Sequence, residues 1–291
     1  MSGSWTEVGA ARSVVVDVDL RQALRLCAQD PVGSVLAAAR IETAIANGSH
    51  RGGASLWGFE REGTLVAVCW AGANLVPVCA AQDTDAIDAF ARAAIRQGRR
   101  CSSIVGPAAT VLALWERLQP TWGPAREVRA DQPSLVIDHT PWVRPDPNVR
   151  LSTLDDLPVL LPACVEMFVE EVGYSPLTGA TGAYEARVRS LVVEERSLVR
   201  VGTTNGVPEV VFKAELGAVS SRVAQVQGVW VAPQHRGRGL SESGMAAVVA
   251  WTLRTTAPVV SLYVNHYNTR ALAAYRRVGF REHGTYATIL F

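Results

Sequence analysis

Two glycines and two arginines offer the first recognisable chemistry in this chain. They lie in Val226-Gln-Gly-Val-Trp-Val-Ala-Pro-Gln-His-Arg-Gly-Arg-Gly-Leu240. There the β-formers Val226, Val229 and Val231 give way at Pro233 to a turn through Gly237 and Gly239. Apolar or small residues then recur at helical spacing, at Leu240, Gly244, Val248 and Trp251. Glycine permits positive φ, and a strand–turn–helix of this kind aims free backbone N–H groups and the positive end of a helix dipole into one concavity, which suits a phosphate or pyrophosphate. Arg236 and Arg238 add charge. No Gly-Lys-Ser/Thr follows and Gly-x-Gly-x-x-Gly is absent, so the turn is neither a P-loop nor a dinucleotide fingerprint. Further on, Asn268, Ala271 and Tyr275 fall at steps of three and four, hence on one face of a helix that Asn268 is placed to cap and Gly279 to stop.

These residues carry a family resemblance. Gln234-x-x-Gly237-x-Gly239 resembles the acyl-CoA pyrophosphate loop of the GNAT N-acetyltransferases. Asn268-x-x-Ala271-x-x-x-Tyr275-x-x-x-Gly279-Phe280 matches that family's ending at every one of those positions, and the two motifs stand in the family's order and usual separation. The resemblance implies that acetyl-CoA lies in a splay between the strand ending at Val231 and the strand ending at Val264. Backbone groups of Val229 and Val231, on either side of Trp230, would pair with the pantetheine amides in the manner of an added strand. N–H groups from Arg236 through Gly237, Arg238, Gly239 and Leu240 to Ser241 would hold the pyrophosphate, with Gln234 opening the loop. Arg236, Arg238 or Arg270 would meet the 3′-phosphate, Asn265 and Asn268 would border the CoA arm, and Ala271 is small enough for the arm to approach.

Acyl transfer from CoA to an amine needs a donor for the developing oxyanion and a proton for the leaving thiolate. Val231 N–H is the candidate oxyanion donor and Tyr275 the candidate general acid, since a phenol near pKa ~10 can protonate a thiolate near ~8.5 at little cost. Tyr263 and Tyr267 stand behind it as alternatives. The general base stays open among Glu215, on a strand expected near the acceptor side, and Glu170 and Glu171, beside a loop that could cover it. Gln227 cannot serve as a base, His266 is a candidate shuttle, and some family members use a water chain. No Cys/His pairing suggests a cysteine nucleophile, and the family transfers directly in a ternary complex.

Residues 149–291 begin with a short strand at Val149–Leu151, then a helix over 155–172, a loop over 173–182 and a helix over 184–195. Strands are expected over 197–202, 208–216, 224–232, 259–264 and 286–291. Residues 14–138 repeat the element order of a GNAT domain without its motifs: a strand at Val14–Val18, two helices in 20–46, strands at 54–59, 64–70 and 74–79, a helix over 83–97, a strand at 103–105, a helix over 108–118 and strand over 127–137. The turn after the third of these strands lacks glycine and carries Asp83 and Asp85 where a phosphate would sit. The expectation is an α/β (α+β) chain of tandem GNAT-like domains, each a mixed, mostly antiparallel central sheet flanked by helices. Residues 1–138 form a degenerate, non-catalytic half, the proline-rich 139–148 a linker and 149–291 the catalytic domain. That arrangement, with Met167-Phe-Val-Glu-Glu-Val-Gly173, also resembles a group of actinobacterial two-domain GNAT proteins.

Composition sets the outer bounds. The 291 residues are 48% hydrophobic and 19% charged with net charge +1, which fits a globular protein and makes no electrostatic case for a nucleic-acid or membrane partner. No apolar run approaches the roughly 18 residues of a spanning helix, and no basic segment with an apolar core opens the chain, so a cytoplasmic location is expected. Cys27, Cys69, Cys79, Cys101 and Cys164 never form Cys-x-x-Cys, and buried reduced thiols rather than a metal site are expected. Lys213 is the only lysine. The activity expected is transfer of an acetyl group from acetyl-CoA to a primary amine on a small molecule, peptide or protein. The alternative is an acyl-CoA-binding sensor or interaction protein with a non-catalytic GNAT fold. A strand edge or the N-terminal half offers a surface for a homodimer.

Overall fold

The computed structural model describes residues 14–16, 18–48, 55–177 and 182–291. Their contacts divide the chain into two compact units, one made of residues 1–131 with 286–291, the other of residues 132–285.

In the first unit, β1 (Ser55–Arg61) and β2 (Thr64–Ala71) form an antiparallel hairpin. Its two-residue turn puts both Glu62 (φ 54°) and Gly63 (φ 75°) in the left-handed region, the turn whose twist matches paired strands. β3 (Asn74–Val78) continues antiparallel to β2, and β4 (Ser103–Pro107) runs parallel to β3. The far side of β4 is completed by Tyr286–Leu290, the end of β11 (Arg281–Leu290). Helices α1 (Leu20–Cys27), α2 (Val35–Asn47), α3 (Thr84–Gln97) and α4 (Ala108–Trp122) belong to this unit. α3 and α4 close a core around Phe59, Phe90 and Leu114. The strand expected at Val14–Val18 is reduced to one bridge, Val15 to Gly58, and Asp17 lies outside the described residues.

In the second unit, β5 (Glu127–Ile137) lends Ser134–Ile137 as an antiparallel neighbour to β10 (Val259–Tyr263). The order then runs through β9 (Val223–Val231), β8 (Val207–Val219), β7 (Ser197–Thr204) and the short β6 (Arg150–Leu151). Among the described residues of this unit, only β9 and β10 pair in parallel. One core joins this sheet to α7 (Leu240–Thr255) and α8 (Thr269–Val278) through Phe212, Met245, Val248 and Leu272. A second joins it to α5 (Leu157–Val172) and α6 (Ala183–Val193) through Leu160, Val188, Val199 and Trp230.

The expected linker is built into the second unit. Trp142 N–H donates to Val278 C=O (2.9 Å) and Asp146 N–H to Ser243 C=O (3.0 Å). The buried Asp146 carboxylate accepts from Arg200 at 2.6 Å. Prolines remove local donors from 139–148, but the Trp142 and Asp146 backbone amides and the Asp146 carboxylate bond to the rest of the unit. By contacts, therefore, the chain divides at 131/132 and again at 285/286, where sequence composition suggests 138/149 alone. All five cysteines are free, and burial pushes their thiols above the ordinary range, Cys27 and Cys79 to about 12 and Cys164 to about 11. No helix among the described residues is long and apolar enough to cross a membrane.

Candidate functional site

The site begins where two strands part. β9 and β10 pair from Val223/Val259 only as far as Gln225/Ser261. Beyond that point β9 keeps β8 on one side and loses β10 on the other. Ala232 N–H donates to Val211 C=O (3.1 Å), so the opposed pair Val211/Ala232 is hydrogen-bonded and, by antiparallel alternation, Phe212/Val231 is not. The backbone groups of Val231 therefore point away from β8, into the opening. Between Lys213/Trp230 and Glu215/Gln227 the register shifts by one residue, a bulge in which Gly228 has φ 58°.

At the end of β9 the chain makes a 3₁₀ turn over Pro233–His235 and reaches α7 through Gly237 (φ 78°) and Gly239 (φ 72°). A side chain at either glycine would be strained, and a Cβ there would meet nothing within 4 Å, so the outer face of the turn is open. Gly239 provides no side-chain cap for α7, which leaves the Leu240 and Ser241 amides facing outward at the positive end of the helix. The Arg236 amide is not part of this cradle, because it donates to Pro233 C=O (3.2 Å). Glu242, an acid in the first turn that would repel an anion, is paired with Arg277 at 2.7 Å.

The arginines separate into two kinds. Arg236 sends Nε to Val231 C=O (2.9 Å) and Nη2 to both oxygens of Glu170 (2.7 and 3.0 Å). Arg238 and Arg270 are exposed and, among the described residues, have no ion-pair partner. Gln234 is turned toward Glu209 (2.6 Å), which also accepts from Thr204 and meets His235 Nε2 at 2.6 Å. These hydrogen bonds, Thr204's first, hold the Glu209 carboxyl below the ordinary carboxylate range.

On α8, Asn268 caps the helix by accepting from Ala271 N–H (3.2 Å), and Gly279 (φ 117°) ends it. Asn265 accepts from Gln132 (2.9 Å) and donates to the exposed Tyr267 (2.8 Å). Tyr275 is buried, with its ring 5.9 Å from that of Phe280, and its hydroxyl has no hydrogen-bond partner among the described residues. Burial, then the negative charge of Glu171, pushes this phenol above its ordinary value. It stays protonated over the whole neutral range, as a proton donor must.

Glu215, the strand candidate for the base, is buried among charged and polar partners. It is 2% exposed and bound to Lys213 Nζ at 2.8 Å, with Arg187 at 3.6 Å and Gln227 at 3.3 Å. Burial alone would raise the Glu215 carboxyl and lower the Lys213 ammonium. Their mutual attraction outweighs it, so Glu215 lies below and Lys213 above its ordinary range. Glu170 is likewise engaged, by Arg236 and by Trp230 Nε1 at 3.3 Å.

The turn after β3 differs. Asp83 caps α3 by accepting from Ala86 N–H (3.2 Å) and pairs with Arg61 at 2.9 Å, so the chain's own carboxylate occupies the helix end that an anion would take.

Comparison with known proteins places a family model on each half of the chain. Residues 178–280 match the model of the "Acetyltransferase (GNAT) family". The chain carries a GNAT domain. Residues 54–160 match a "Domain of unknown function (DUF4081)". No curated protein sequence matches. Among solved structures, a GCN5-related N-acetyltransferase from Sphaerobacter thermophilus is 19% identical at TM-score 0.56, covering 95% of this chain and 93% of that one. A tandem GNAT protein from the clavulanic acid biosynthesis pathway is 12% identical at TM-score 0.52, covering 96% and 97%. A Drosophila protein is 12% identical at TM-score 0.67, covering 97% and 99%. At these identities the likeness is one of fold, and it extends across both halves as a tandem GNAT fold. Among the described residues no group of three or more His, Cys, Asp or Glu is arranged around a metal position.

No sequence motif marks Glu209 or Lys213, whose partners lie elsewhere in the chain. One signal for Lys213 was present: a lysine and a glutamate two apart in the apolar run Val210-Val-Phe-Lys-Ala-Glu-Leu216 share a strand face that had to be buried.

Proposed function

We propose that this protein is an N-acyltransferase that moves an acetyl group from acetyl-CoA to a primary amine by direct transfer, with the catalytic centre in residues 132–285 and a non-catalytic N-terminal half. The observation that carries the reading is the opening between β9 and β10 beyond Gln225/Ser261, with Val231 backbone groups facing it, the glycine turn at its end and Tyr275 buried on α8. These residues fit the donor: the open cradle at Gly237 and Gly239 suits a pyrophosphate, and the unpaired strand side of β9 suits pantetheine amides. When bound, acetyl-CoA supplies an activated acyl carbonyl. Val231 N–H donates to the oxygen on which negative charge develops. Tyr275 Oη gives its proton to the departing sulfur in a site closed to water. The exposed Arg238 and Arg270 meet the 3′-phosphate, and Asn265, Asn268 and Ala271 border the arm.

The Asp83 cap of α3 supports a non-catalytic N-terminal half, since phosphate cannot share that position with a carboxylate. Calorimetric titration of the full chain with acetyl-CoA tests the reading, beside a variant with Gly237 and Gly239 both replaced by valine. Binding by the wild type and its loss in the variant is the expected pair of results. Retained binding in the variant would show that the turn does not hold the donor. Binding without turnover of any amine would favour a sensor over an enzyme.

A further inference from the structure

The chain's only lysine is fully buried beneath the bulge of β9. Its three donors have three acceptors: Glu215 Oε1 at 2.8 Å, Gly228 C=O at 3.0 Å and Met167 Sδ at 3.3 Å. Glu215 is saturated in turn by Lys213, Gln227, Arg187 and the Cys164 thiol at 3.8 Å. The cluster thus ties α5, α6, β8 and β9 together at one point. A Cβ on Gly228 would lie 3.1 Å from Glu215 Cδ and 3.2 Å from Lys213 Nζ, so the bulge and the ion pair are fitted to each other.

A buried ion pair gains little stability over apolar side chains of equal volume, so its value lies in what it holds in place. Here it holds the carbonyl of Gly228, which accepts from Lys213 Nζ inside the bulge. The bulge is the step that shifts register on β9 immediately before the stretch facing the opening, and bulges re-aim the residues that follow them.

We propose that Lys213 and Glu215 are positioning residues for the acyl end of the donor site: by fixing Gly228 they set the direction in which the Val229–Val231 backbone presents its amides. This rests on the acyltransferase reading given above. The partners of the pair are Met167, Gly228, Gln227, Arg187 and Cys164, none of them in the glycine turn at Gly237 and Gly239. Loss of the pair should therefore be felt by the pantetheine and acyl portion of the donor and not by the phosphates.

The test compares two ligands on the full-length protein by calorimetry, acetyl-CoA and 3′-phosphoadenosine 5′-diphosphate, which has the phosphates of CoA without its pantetheine. Lys213→Met should weaken acetyl-CoA binding roughly tenfold, the scale of one lost charge-assisted hydrogen bond, and change nucleotide binding by less than about twofold. Should that variant not fold, Lys213→Met with Glu215→Met removes both buried charges and retains apolar volume, and the same selective loss is expected. Equal weakening of both ligands, or unchanged acetyl-CoA binding in a folded variant, would overturn the assignment. A wild type that binds the nucleotide no less tightly than acetyl-CoA would do the same, because the strand would then make no contact to lose. A wild type that binds neither ligand would remove the acyltransferase reading itself, and this inference with it.

Discussion

Arg236 and Glu170 are joined across 66 residues of sequence, with Nη2 at 2.7 Å from Oε2, while Nε of the same guanidinium holds the Val231 carbonyl at 2.9 Å. One side chain thus ties the C-terminal end of α5 to the last residue of β9. Because the guanidinium is committed inward, the charge available to a phosphate comes from Arg238 and Arg270. Arg238→Ala is expected to weaken CoA about three- to fivefold, the worth of one exposed charge contact, and to narrow the preference for CoA over dephospho-CoA. Arg236→Ala should leave that preference unchanged. Titration of the two variants with both ligands checks the division; a preference lost only in Arg236→Ala would reverse it.

Tyr275→Phe tests the proposed proton donor. The hydroxyl has no partner to lose among the described residues, so the variant should fold as well as the wild type and bind acetyl-CoA equally, with kcat reduced roughly a hundredfold or more. The phenol also has a pH signature. Its folded value is raised, so its contribution to stability is complete below the unfolded value of about 10 and is lost as pH rises above it, where the unfolded chain releases the proton first. Chemical denaturation at pH 9 and 11 should show a smaller decline in the phenylalanine variant than in the wild type, and identical declines would contradict the burial argument.

The contrast between Tyr275 and Glu215 shows what the sequence could reveal. The elements bearing Tyr275, Asn268 and Gly279 were legible because caps, glycine stops and i, i+3, i+4 spacing are local backbone physics. The turn at Gly237 and Gly239 was legible for the same reason. What a carboxylate does depends on partners distant in sequence, and nothing local marks that Lys213 and Arg187 bind Glu215 or that Arg236 binds Glu170. Val14–Val18 has strand propensity but forms only the Val15–Gly58 bridge, since pairing rather than propensity makes a strand. The tandem fold was readable from element order. The strand memberships were not, because nothing local marks that Tyr286–Leu290 completes the first unit's sheet.

Glu209 organises the start of the glycine turn from β8, receiving Gln234, His235 and Thr204 on one carboxylate. Glu209→Ala should free that turn and weaken CoA binding by a few-fold, about 1 kcal/mol, without changing the Tyr275 chemistry. The depressed carboxyl makes this interaction complete above the unfolded carboxylate pKa and lost as pH falls through the lower folded value. Acid denaturation below pH 5 should accordingly be less steep in Glu209→Gln than in the wild type. A Glu209→Ala variant with unaltered CoA affinity would show that the turn holds its shape unaided.

The strand memberships also fix where the second unit can be cut. A fragment of residues 149–291 removes Ser134–Ile137, leaving one side of β10 unpaired, and deletes Trp142 and Asp146, which bond to Val278, Ser243 and Arg200. It also retains Tyr286–Leu290, whose partner β4 is absent and whose tyrosine hydroxyl is otherwise seated on the carbonyls of Val32 and Gly33. An unpaired central strand and an orphaned apolar strand are both routes to edge-to-edge association. A fragment of residues 132–285 keeps Ser134–Ile137 paired with β10 and the pairings of β10, β9, β8, β7 and β6 and discards the foreign strand. Expressed side by side, the longer-tailed 149–291 fragment is expected to elute as aggregates with weak near-ultraviolet dichroism, and 132–285 as a discrete folded species. Should 149–291 instead behave as a cooperative monomer, the pairing of β5 with β10 would be dispensable, and the composition-based boundary would describe the autonomous domain better than the contact-based one.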